Sequence, residues 1–270
     1  MIKKVALFLI VIIIIPTFNL YAFANTETFN WYCKRTKDHT QPLADNTLEF
    51  VTEYGGYYVD KKHGNGCADK VIYLTFDAGY ENGNVSKTLD SLKEENVKAT
   101  FFILDLLLLK DLDLVNRMIN EGHTVANHTA KHRDVSRISS KDELQAELYA
   151  LESLYKEKTG KDMPKYFRPP EGKFSLRSMQ YAHELGYKTI FWSFAYADWD
   201  NNNQPSPEAA KKKIMDNIHN GAILLLHPTS DTNARILTDV IHELKEQGFS
   251  FGTMDELTQT NNEKHYRYRI

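Results

Sequence analysis

Between Lys70 and Leu257 the chain alternates short apolar runs with helix-like stretches, and this alternation restricts the fold more than any other feature. Val71–Phe76, Thr100–Leu104, Thr124–Ala126, Tyr166–Arg168, Lys188–Phe194, Ala222–Leu226 and Phe249–Phe251 read as strands. Runs that are apolar throughout suit strands buried on both faces. Val85–Asn96, Leu112–Asn120, Leu176–Leu185 and Asn233–Gln247 carry apolar residues at helical spacing. Another helix is announced by Ser140-Lys141-Asp142-Glu143, a capping box, and is ended by Gly160. Ser206-Pro207 supplies an N-cap and a first-turn proline. Strands alternating with helices of this length predict about seven βα units with parallel pairing in one domain. A barrel and an open sheet both satisfy the pattern.

The sequence outside this span divides into three. Residues 1–24 have a basic start at Lys3-Lys4, an apolar run Val5–Ile15, and small residues at Ala22 and Ala24. That is the pattern of a secretory signal, with cleavage expected after Ala24. The alternative is an uncleaved N-terminal membrane anchor, but the run stops at Pro16, well short of the roughly 20 apolar residues of a span. Either way the remainder is expected outside the cytoplasm, with no stable membrane span after cleavage. Residues 25–69 read as a polar, turn-rich extension packed on the domain, 70–258 as the domain, and 259–270 as a polar tail. Loss of the two leader lysines takes the net charge from −3 to −5. No basic surplus remains for phosphate neutralisation, which argues against nucleic acid as partner. Two cysteines occur, Cys33 and Cys67. Outside the cell they can oxidise, and a disulfide is expected over two unpaired thiols.

The polar residues gather at the carboxyl ends of the predicted strands. In order they are Asp77, the pair His128 and His132, Arg168, Asp198 and His227. Each has a bland reading alone: a helix N-cap, two surface histidines, a surface ion pair, a turn residue, a core histidine. Together they fall at the one end of a parallel α/β fold where ligands bind. His128 and His132, four apart, would share a helix face. Two imidazoles suit a borderline divalent ion such as zinc. The set supports metal-assisted hydrolysis, with Asp77 as base, His227 as acid, and Arg168 and Asp198 holding each in its useful state. Phe191, Trp192 and Trp199 read as core, although Trp199 beside Asp198 would line a cleft.

The motifs TFDAG (75–79), HTAKH (128–132), RPPEG (168–172), ADW (197–199) and LLLH (224–227) resemble, in order, those of the polysaccharide deacetylases of carbohydrate esterase family 4, the NodB-homology domain. The resemblance covers about 70–258. It implies a distorted (β/α) barrel of about seven units and hydrolytic removal of N-acetyl groups from sugars. It implies that Asp77 is the base, His227 the acid, Arg168 and Asp198 their supports, and His128 and His132 metal ligands. Trp199, Leu225 and Gly172 would contact substrate. Ala78 stands where the family has a third, aspartate ligand, so the metal (zinc, or one like manganese or cobalt) is expected to bind weakly. Ala195 stands where another motif aspartate is usual.

The loss of that ligand, Tyr80-Glu81-Asn82-Gly83, Phe191-Trp192-Ser193 and the upstream Asn30-Trp31, Lys34-Arg35, His39 and Pro42 are similar to the delta-lactam-forming de-N-acetylases of spore-forming bacteria. That narrower resemblance implies action on N-acetylmuramic acid in peptidoglycan strands stripped of stem peptides, leading to muramic-δ-lactam in spore cortex; a monomer is expected. A chitooligosaccharide or N-acetylglucosamine deacetylase, and a non-catalytic glycan-binding module, are the competing expectations.

Overall fold

A computed structural model describes residues 27–36 and 38–259. The expected leader 1–24 lies outside the described residues, as does the expected tail apart from Gln259, which ends the helix Met254–Gln259. The N-terminal extension carries four two-residue strands: β1 (Phe29–Asn30), β2 (Cys33–Lys34), β3 (Leu43–Ala44) and β4 (Gly56–Tyr57). The rest follow as β5 (Lys70–Ala78), β6 (Thr100–Ile103), β7 (Thr124–Asn127), β8 (Tyr166–Phe167), β9 (Lys173–Phe174), β10 (Lys188–Ile190), β11 (Ala222–Leu226) and β12 (Phe249–Phe251). One parallel sheet runs β11-β5-β6-β7-β8-β10-β4, with β12 also on β5. Seven of its strands follow Lys70, as the alternation predicts. The eighth, β4, comes from the extension, which therefore builds the sheet rather than only covering it. Single bridges, Val59 to Ala222 and Phe194 to Leu224, bring the two edges together into a distorted barrel.

Side chains alternate between the two faces of each strand. On β5, Ile72, Leu74, Phe76 and Ala78 enter the large core under the helices. Tyr73 enters the barrel interior with Tyr57, Phe102, Ala126, Tyr166, Ile190 and Ile223, one from each neighbouring strand. Burial on both faces is why these strands read as continuous apolar runs. Each fully buried Leu or Phe here contributes roughly 2 kcal/mol of transfer free energy.

Local chemistry sets the helix ends. Ser140, Ser175, Ser206 and Ser230 each accept a backbone N–H from the first helical turn. The helix expected from Asn233 thus begins at Asp231, capped by Ser230. Of the capping box expected at Ser140, only half forms: the Glu143 carboxylate accepts from Ser139 N and Oγ at 2.8 and 2.9 Å instead. The strand expected to reach Phe194 leaves its ladder after Ile190, because residues 191–194 cross towards β11: Phe191 N bonds Tyr57 O and Ser193 N bonds Ile223 O.

The expected disulfide is absent. Cys33 is buried, with Sγ 3.3 Å from the Ser193 carbonyl oxygen, and Cys67 lies apart in the loop before β5; both are free. Burial pushes the Cys33 thiol up to about 12, so it packs as a small apolar group. No helix among the described residues is long and apolar enough to cross a membrane.

Candidate active site

The alternation that fills the barrel also aims the site. Two residues beyond the interior position of each strand, the same face emerges at the barrel mouth. Asp77 follows Tyr73 and Thr75, Leu104 follows Phe102, His128 follows Ala126, Arg168 follows Tyr166, Trp192 follows Ile190, and Leu225 and His227 follow Ile223. All but Arg168 line one cavity of about 680 Å³, which Tyr80, His132, Glu171, Tyr196, Trp199 and Thr229 help to wall. Arg168 lies beneath its floor, fully buried.

The Arg168 guanidinium stacks 4.2 Å over the Phe102 ring. It donates to Asp77 Oδ1 at 2.8 Å, to Thr75 Oγ1 at 2.8 Å and to the Ile190 carbonyl at 2.9 Å. Burial works against the charge of Asp77, but the attraction of His128 when that ring is protonated, of Arg168 and of His227, with the Arg168 hydrogen bond, outweighs it and holds the carboxyl below its ordinary value. Asp77 is thus an ionised carboxylate facing the cavity.

His227 lines the same cavity as Asp77. Its Nδ1 donates to Asp198 Oδ1 at 2.7 Å, and its backbone N–H donates to Asp198 Oδ2 at 2.8 Å. Asp198 is fully buried. Burial would lower the imidazole, but the bond to and charge of Asp198, aided by Asp77, raise it above the ordinary histidine value. One group is pushed towards its ionised base form and the other towards its protonated acid form, the pattern expected of a working base and acid.

His128 and His132 sit together with ring centroids 5.2 Å apart. They occupy a loop rather than a helix face: Thr129 and His132 take positive φ of 68° and 56°. His128 Nδ1 faces the Arg168 carbonyl at 2.8 Å. A carbonyl only accepts, so Nδ1 carries the proton and the Nε2 lone pair is left, 3.5 Å from Asp77 Oδ2. Burial, opposed by Asp77, lowers the ring to about 4 and keeps it neutral. These two imidazoles fit one side of a divalent cation. Among the described residues no group of three ligating side chains is placed to complete it. Ala78, which carries no ligating group, is on the outward phase of β5, fully buried in the core.

The remaining expectations divide. Leu225 and Trp199 line the cavity, and Trp199 is 60% exposed, so it is a wall of the mouth and not core. Trp192 also lines it, whereas Phe191 is core. Gly172 lies behind the wall. At φ +65° it packs so closely that a Cβ would come 2.8 Å from Trp192 Cη2 and 3.0 Å from Trp31 Cβ. The extension braces this wall, since Trp31 Nε1 donates to the Trp192 carbonyl at 2.8 Å and its ring stacks on Phe191. The motif reading passed over Tyr80, Leu104, Glu171, Tyr196 and Thr229. The two-residue step from Phe102 finds Leu104; Tyr80 and Glu171 stand inside the motifs but carry no assigned role there, and nothing in the local sequence marks Tyr196 or Thr229.

Comparison with known proteins gives a consistent picture. A family model described as polysaccharide deacetylase matches residues 64–190. The peptidoglycan-N-acetylmuramic acid deacetylase PdaA of Bacillus subtilis is 41% identical over 233 residues, covering 86% of each chain. Its solved structure, described as a family 4 carbohydrate esterase, superposes with a TM-score of 0.81 at 38% identity, over 87% of this chain and 98% of that one. A family 4 carbohydrate esterase from Bacillus anthracis gives 0.71 at 35% identity, over the same shares.

Proposed function

From its membership of the polysaccharide deacetylase family, we propose that this chain hydrolyses the N-acetyl group of N-acetylmuramic acid residues in peptidoglycan strands stripped of stem peptides. The supporting observation is the pairing in one cavity of an ionised Asp77, held by Arg168, with a His227 biased towards its protonated form by Asp198. The choice of sugar rests on the likeness to PdaA.

In this reading Asp77 takes a proton from the attacking water, and His227 gives one to the amine as the C–N bond breaks. Arg168 keeps Asp77 ionised and aimed. Asp198 keeps the proton of His227 Nδ1 in place, so that Nε2 does the donating. Leu225 and Trp199 bound the acetyl group and shed water from it. A divalent cation held by His128 and His132 would supply Lewis-acid polarisation of the acetyl carbonyl. Acetate and a free amine are the products. The freed amine can then condense with the lactyl carboxyl group of the same sugar, forming the C–N bond with loss of one water, which would give muramic-δ-lactam in spore cortex. Such a substrate places the enzyme outside the cytoplasm, consistent with a cleaved leader at 1–24, and one chain carries every residue the reaction uses.

The test is acetate release by the purified protein with added divalent metal, from peptide-stripped glycan and from N-acetylglucosamine oligomers. Release from the muramic substrate is expected, with loss in Asp77→Asn and His128→Ala. Release only from the glucosamine oligomers would reassign the sugar. No release from either, with ligand still bound, would make the chain a glycan-binding module.

A further inference from the structure

Behind the acid lies a polar chain that no motif announces. Asn233, on the first turn of the helix Asp231–Glu246, is 1% exposed, and Tyr196 is 6% exposed at the cavity wall. The Tyr196 hydroxyl donates to Asn233 Oδ1. Asn233 Nδ2 donates to Asp198 Oδ2 at 2.6 Å and to the His227 carbonyl at 3.3 Å. The orientation of the amide is fixed at its nitrogen, because the Asp198 carboxylate and the His227 carbonyl both only accept, and the Tyr196 hydroxyl then donates to Oδ1. Asp198 Oδ2 thus takes two donors, Asn233 Nδ2 and the His227 N–H. That pins the carboxylate plane and leaves Oδ1 for the ring Nδ1–H at 2.7 Å.

We propose that Asn233 is a positioning residue, its carboxamide set by Tyr196, that holds Asp198 so that His227 keeps its Nδ1 proton on Asp198 and presents Nε2 to the substrate. This rests on the reading of His227 as the proton donor. The charged groups that act on the His227 ring are Asp198, Asp77 and Arg168, and none is altered by changing Tyr196 or Asn233. Without the Asn233 N–H, Asp198 becomes more basic, which stabilises the imidazolium, but its plane is no longer pinned, so the neutral ring is no longer confined to one tautomer. The ring's proton-donating range then moves to higher pH while its aim loosens.

Two variants of the full chain test this. Tyr196→Phe removes one oxygen and keeps the ring; Asn233→Ala removes the whole carboxamide. Acetate release is measured against pH, and 15N NMR reads the His227 tautomer above the alkaline limb. Both variants should lower kcat about tenfold, a fraction of what a general acid contributes, with KM unchanged. Both should raise the alkaline limb and replace a single Nδ1–H tautomer by a mixture. A wild-type limb and a single tautomer in Tyr196→Phe would overturn the proposal, whatever the turnover. If the parent releases no acetate, the functional reading fails, but the tautomer still decides the role of Asn233. Should Asn233→Ala not fold, the limb and tautomer of Tyr196→Phe alone decide the matter.

Discussion

Arg168→Met examines the physical core of the site. The wild-type guanidinium is fully buried and makes hydrogen bonds to a carboxylate, a hydroxyl and a carbonyl. Met fills much of the same space against Phe102 but donates nothing. Asp77, with a side chain 10% exposed, would keep its charge without its partner. Breaking a buried pair from one side costs about 3–5 kcal/mol, because the stranded charge retains its desolvation penalty. For a domain of this size that is a fall in Tm on the order of 10 °C. Asp77→Asn should also destabilise, since it strands the guanidinium. Asp77→Asn/Arg168→Met removes both charges, so its loss should be smaller than the sum by about 2 kcal/mol or more. Urea unfolding followed by tryptophan fluorescence measures all three. A cost under about 1 kcal/mol for Arg168→Met, or strict additivity in the double variant, would refute the idea that Arg168 and Asp77 stabilise each other as a desolvated pair.

Other outcomes follow from the same geometry. Asp198→Asn should bring the alkaline limb of kcat down towards the ordinary histidine value of 6.5, as a pH–rate profile will show, because the raising bond and charge are both lost. Gly172→Ala should destabilise by about 1–3 kcal/mol through positive φ and overpacking on Trp192, read by urea unfolding with a change in tryptophan emission. His123 is buried and lowered to about 4, chiefly by burial. Its neutral form is the folded one, so its contribution is present above pH 6.5 and is lost as pH falls towards 4. Between pH 7 and pH 5 the wild type should lose about 2 kcal/mol more than His123→Gln, measured by urea unfolding at the two pH values; equal losses would contradict the assignment.

The helix signals of the sequence were legible because they act over three or four residues. Ser140 and Ser206 cap first turns through bonds to backbone only a few positions away. Where a signal had two local outcomes, the expectation slipped. Glu143 had a choice of N–H groups and took those of Ser139. His128 and His132 had helical spacing, but Thr129 and His132 adopt positive φ, which the order of residues did not reveal. The cysteines failed for a different reason. Whether Cys33 meets Cys67 depends on how the extension wraps the barrel, and Cys33 is buried there against the Ser193 carbonyl.

The sequence by itself determined the βα alternation and the strand ends that carry Asp77, His128, Arg168 and His227. It could do so because strand periodicity is two: once the buried phase of a run is known, the residue two steps beyond it must emerge on the same face at the mouth. Tertiary structure alone decided that β4 of the extension joins the sheet, that Gly172 supports the Trp192 wall from behind, and that Asn233 reaches Asp198 from another element. These depend on contacts between segments far apart in the chain. Such contacts are chosen by the shape of the closed barrel, which no local pattern encodes.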